Sequence, residues 1–126
     1  MELAEHVLVS LLAVNSWSLE RVYNLRGGLR EAGLVDFDAV EKLSIEEVAE
    51  RLSAAGYTRG DYMNTLMALR ISSMAPVLSA EELERLSEDV EAGRRDDANA
   101  LLRRIKGVGP SVLTSFWVLR GLPETR

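Results

Sequence analysis

The chain has 126 residues, 47% of them hydrophobic and 28% charged, with a net charge of −5, which describes one globular domain large enough to bury a core. No apolar run approaches the ~20 residues of a membrane span. The absence of cysteine excludes disulfides and thiolate or iron–sulfur sites, and a single histidine among scattered carboxylates argues against zinc.

In chain order the hydrophobic period is helical almost throughout. Leu3, Val7, Leu8, Leu11 and Leu12 mark one face of a first helix ending near Val14. Glu2, Glu5 and His6 make that helix amphipathic rather than a signal peptide, and the lone His6, a surface or capped residue, is given no role. Ser18 is placed to cap a second helix with the stripe Leu19, Val22, Tyr23 and Leu29; Gly27-Gly28 bends it or admits another backbone, and Gly33 closes it. Asp38 is expected to cap a short helix over 39–43. Ser44 opens a capping box with Glu47, and Ile45, Val48, Ala49 and Leu52 follow on one face until Gly56.

After the turn at 57–61, Tyr62, Leu66, Leu69 and Ile71 belong to a long helix that Pro76 helps to end. Ser79 opens a second capping box with Glu82, Leu83, Leu86 and Val90 point inward, and Gly93 stops the helix. Asp96 or Asp97 caps the helix that follows. There are no repeats or low-complexity tracts. The expectation is an all-α protein, a compact orthogonal bundle of about seven or eight helices with short loops, forming one domain over residues 1–126.

The most informative stretch is LLRRIKGVGPSVLTSFWVLR, residues 101–120. Two apolar helical runs flank Gly107-Val108-Gly109-Pro110, where the two glycines permit a tight turn, Val108 pins it and Pro110 suits a first helical position. Phe116 and Trp117 read as core. A glycine turn opening a helix leaves N–H groups unpaired at the positive end of the helix dipole, which suits a phosphate. A plain αα-corner is the alternative. A nucleotide-type phosphate loop is disfavoured, because no GK[ST] follows and no strand precedes.

Charge is distributed unevenly. Residues 100–126 carry Arg103, Arg104, Lys106, Arg120 and Arg126 against Glu124 alone, a local +4, whereas the rest of the chain is −9. The acidic total argues against a general nucleic-acid coat protein, and only the glycine-turn end suits a polyanion. Arginine outnumbers lysine 13 to 2 and glutamine is absent, a weak sign of a hot-living source.

With these elements in place, LLAVNSWSLERV, AAGYTRGDYMNTLMALR and ALLRRIKGVGPSVL together resemble the endonuclease III-type, helix-hairpin-helix DNA glycosylase superfamily. The resemblance covers roughly residues 7–121, specific in the hairpin and loose between. It implies a glycosylase-like fold that binds duplex DNA, damaged or abasic, without reading sequence. Backbone amides of Gly107, Gly109, Ser111 and Val112 are the implied phosphate donors, with Val108 between them and Arg103, Arg104 and Lys106 beside them. Carbonyls of Arg103, Ile105 and Val108 are the implied ligands of a potassium or sodium ion.

Two family features do not match. The lysine of bifunctional members is Ser111 here, and no aspartate follows Asp97, as if the chain were truncated before the catalytic residue. Glu124 is a poor substitute. No catalytic residue is therefore assigned, and the expectation is DNA binding without catalysis. Asn15 and Trp17 fall where the family places a loop that enters the duplex; Trp17 either wedges between bases or anchors the loop to the core. Tyr57, Arg59 and Tyr62 are similarly divided between DNA and packing. The alternatives are a minimal glycosylase or abasic lyase using Lys106, a scaffold whose acidic residues 79–97 dock a protein, and a truncated reading frame. A protein partner or homodimer is compatible with the pattern, a membrane is not, and the cytoplasm is the expected location.

Overall fold

The computed structural model describes residues 2–14 and 16–121. Asn15, Glu124 and Arg126 lie outside the described residues. Nine helices and no strand occur among those described: α1 (Glu2–Leu12), α2 (Leu19–Tyr23), α3 (Arg26–Glu31), α4 (Phe37–Val40), α5 (Ile45–Ala54), α6 (Gly60–Met74), α7 (Ala80–Glu91), α8 (Arg95–Leu102) and α9 (Pro110–Arg120). The expected seven or eight become nine because the second helix is two, α2 and α3, divided at Asn24-Leu25. Gly28 lets another backbone approach: a Cβ there would lie 2.7 Å from the Ala55 carbonyl oxygen. No helix among the described residues is long and apolar enough to cross a membrane.

The bundle is built around α1, which packs against α9 and touches α2, α3 and α7. Its amphipathic reading is corrected. Every residue from Leu3 to Leu12 is buried, including Glu5, His6 and Ser10. Those polar groups are tolerable inside because each has a partner. Glu5 accepts two hydrogen bonds from Arg30, at 2.8 and 2.9 Å; Ser10 donates to the His6 carbonyl at 2.7 Å; and the Arg120 guanidinium donates to His6 Nδ1 at 3.1 Å. His6 is thus no surface residue, and its proton sits on Nε2. Burial, then the Arg120 charge, holds its pKa below the ordinary value.

Local signals explain most helix ends. Ser18 caps α2, accepting from the Arg21 N–H at 3.2 Å, and Ser44 and Glu47 form the reciprocal box at α5. Gly33, Gly56 and Gly93 follow helix ends with positive φ, as expected. Three expectations are corrected. Asp36, not Asp38, caps the short helix, because its carboxylate reaches the Ala39 N–H at 3.2 Å. Ser79 caps α7 alone, since Glu82 turns away toward Arg85 and Arg104. Neither Asp96 nor Asp97 caps α8; both lie in its first turn, after Arg94.

One polar staple fixes the connection between α5 and α6, which pack along each other. Buried Asn64 donates to the Tyr57 carbonyl at 2.7 Å and to Ser53 Oγ at 3.1 Å, and it accepts from the Arg59 N–H at 3.0 Å. Tyr57, fully buried, donates its hydroxyl to the Leu12 carbonyl at 2.9 Å, and Arg59 donates to the Val14 carbonyl at 2.9 Å. The end of α1 and the loop after it are therefore held by a turn distant in sequence. Tyr57 and Arg59 are packing residues, while Tyr62 is 78% exposed.

Candidate functional site

The turn between α8 and α9 is held from below by Ile105, which is 2% exposed. The Arg104 N–H donates to the Leu101 carbonyl at 3.1 Å, Ile105 to Leu102 at 3.0 Å and Val108 to Ile105 at 3.2 Å. Val108 is only partly buried, so Ile105 is the main anchor, in place of the expected valine. The two glycines do different work. Gly107 has φ +94°, and a Cβ on it would sit 2.7 Å from Arg70 Cδ and Nε. Gly109 is extended, at φ −130° and ψ −167°, a conformation open to any residue. Pro110 takes the first position of α9.

The N–H groups of Gly107, Gly109, Ser111 and Val112 make no hydrogen bond with any described residue. They border a groove of about 530 Å³ whose opposite wall is Ala13, Val14, Trp17, Ser18 and Leu19, with Arg70 also lining it. The fold thus brings the loop after α1 against the glycine turn. Arg70, half-buried on α6, makes no salt bridge or side-chain hydrogen bond among the described residues. Unpaired donors, an N-terminal helix dipole and a free guanidinium together form a basic recess without a basic sequence. No carboxylate, histidine or lysine lines this groove among the described residues.

Trp17 is 9% exposed, its ring centroid 4.9 Å from that of Tyr57, with the Arg21 guanidinium 3.7 Å above it. Of its two expected roles, anchoring the loop is the one its surroundings describe. Trp17 also lines the groove.

The +4 read from the sequence does not converge. Lys106 is exposed at the turn. Arg104 reaches back to Glu82, 3.9 Å away, and Arg120 lies at the far end of α9 on His6 and Glu2. Arg103 lines a second groove, between α8 and α9, beside Trp117. Trp117 is half-buried there instead of fully in the core, donating its indole N–H to Asn99 at 2.7 Å, while Phe116 is fully buried. Arg70 was missing from the sequence reading, because only the packing of α6 against the turn brings it there.

For a monovalent ion, the Arg103 and Val108 carbonyls accept no backbone hydrogen bond from the described residues, and the Ile105 carbonyl accepts one. Lone pairs remain on all three, so these oxygens fit a hard cation in donor type. Among the described residues there is no group of three His, Cys, Asp or Glu side chains placed to hold a metal. Comparisons with protein-family models, with curated proteins and with solved structures gave no match, so the site is read from its own geometry.

Proposed function

We propose that the groove beside the glycine turn binds a backbone phosphate, and that the chain binds duplex DNA without reading its sequence. The observation that carries this reading is the set of four N–H groups, without a partner among the described residues, bordering a groove that also holds Arg70, likewise unpaired among them. An anionic oxygen would complete those donors, and Arg70 would supply the counter-charge. Lys106 would add a second, more solvated contact. The resemblance to a helix-hairpin-helix of the endonuclease III type supports the same reading. A potassium or sodium ion on the carbonyls of Arg103, Ile105 and Val108 belongs to it as well, holding the turn rather than taking part in chemistry.

Binding without catalysis is the favoured form, because among the described residues no carboxylate, histidine or lysine lines the groove. The test is anisotropy of a labelled duplex, intact and with an abasic analogue, at several salt concentrations. Affinity should fall with salt, and Arg70→Ala should lower the salt slope by about 1. Absence of binding at low salt would remove the DNA reading and leave a protein scaffold. Trapping by borohydride on abasic DNA, lost in Lys106→Arg, would instead favour a lyase.

A further inference from the structure

We propose that the second groove, between α8 and α9, docks an acidic amphipathic helix of a partner protein. This shallow, open groove has a volume of about 510 Å³. Pro110, Leu113, Trp117 and Val118 give it an apolar floor, Thr114 also lines it, and Val118 is 50% exposed. Single exposed apolar residues are ordinary, but a concave apolar floor rimmed by polar groups marks a place where another chain sits.

The rim fixes the charge of the occupant. Arg95 and Arg103 line the groove, and among the described residues no carboxylate does, in a chain whose net charge is −5. Neither guanidinium forms a salt bridge among the described residues. Arg95 lies 4.2 Å from the Trp117 ring centroid, so its charge is held over the floor instead of extending into water. The acidic Asp97 of the same helix belongs to a different recess, with Glu82 and Arg104.

Shape fixes the rest. Arg95, Asn99 and Arg103 recur every four residues along α8 and its C-cap, a span of about 12 Å, or two turns of an opposing helix. A helix laid there places apolar residues at i, i+3 or i+4 on the floor and carboxylates against the two arginines. A second copy of this chain is a poor occupant. Its acidic helices α5 and α7 have already turned their apolar residues inward, with Val48, Leu52 and Leu86 fully buried. A nucleic-acid backbone is a poor occupant too, because phosphates would leave the exposed parts of Trp117 and Val118 without apolar contact.

The reporter is built in, since Trp117 donates its indole N–H to Asn99 at the groove and Trp17 stands as the internal control elsewhere. A synthetic helical peptide of about 14 residues, four turns, with leucines on one stripe and glutamates flanking it, is titrated into the ¹⁵N-labelled full chain. The Trp117 indole signal should move saturably and the Trp17 signal should stay. Arg95→Glu with Arg103→Glu should weaken the peptide by about tenfold or more, as should Val118→Lys, which alters an exposed position and leaves the core intact. If the charge-reversed protein does not fold, V118K alone decides. No saturable movement, equal movement with a lysine-flanked peptide, or movement only with a single-stranded oligonucleotide would each overturn the proposal. No duplex is involved, so the result is independent of the phosphate reading above.

Discussion

Two turns of this molecule open helices whose first N–H groups have no partner among the described residues, yet the turns are held differently. The turn before α6 is tied across residues 57–59: Asn64 satisfies both the Tyr57 carbonyl and the Arg59 N–H, and Arg59 in turn satisfies Val14, while the N–H groups of Gly60, Asp61, Tyr62 and Met63 have no partner among the described residues. The turn before α9 leaves the N–H groups of Gly107, Gly109, Ser111 and Val112 without a partner among the described residues. The first has a buried amide side chain in the following helix, and the second has proline, serine and valine in the corresponding stretch. The tie across residues 57–59, the closed turn, contributes stability, whereas the turn before α9 adds Arg70, unpaired among the described residues, to its open donors.

Breaking the closed turn should have the largest effect. Asn64→Leu leaves a buried carbonyl and an N–H unpaired and should cost about 2–4 kcal/mol, measured by urea unfolding. The open turn should behave in reverse. Arg70→Ala should change stability by less than about 0.5 kcal/mol while weakening duplex binding at low salt. Gly107→Ala combines the two responses, because the positive φ costs about 1–2 kcal/mol and Arg70 must shift to make room.

The smallest effect sharpens the contrast at the other end of α9. His6 is held below its ordinary 6.5 by burial and by Arg120, against the opposing pull of Glu2 and Glu5. As pH falls below that value, the unfolded chain takes up a proton that the folded chain resists, so stability drops; above it the contribution is flat. Unfolding at pH 7.5 and 5.5 should therefore show a loss in the wild type and a smaller loss in His6→Gln, which retains an acceptor for Arg120.

What was legible in the sequence was local. Ser18, Ser44 and Gly33 act through neighbours three to five residues away, so their spacing carries the signal. The polar residues of α1 misled for the opposite reason. Glu5 and His6 look like a solvent face, but Arg30 and Arg120 arrive from α3 and α9 to satisfy them inside. The same limit applied at the site. The glycine turn and its proline could be read directly, whereas Arg70 reaches Gly107 only through tertiary packing. The basic cluster was equally deceptive, since adjacent arginines on a helix end point to different neighbours: Arg103 to the Trp117 groove and Arg104 to Glu82.

The most direct measurement is an amide NMR titration of the ¹⁵N-labelled chain with a short duplex at low salt. The account predicts that the N–H signals of Gly107, Gly109, Ser111 and Val112 move together and saturate, while the Asn64 side-chain amide, already paired within the closed turn, does not move. Saturable binding that leaves those four amides unmoved, or no binding at all, would contradict it.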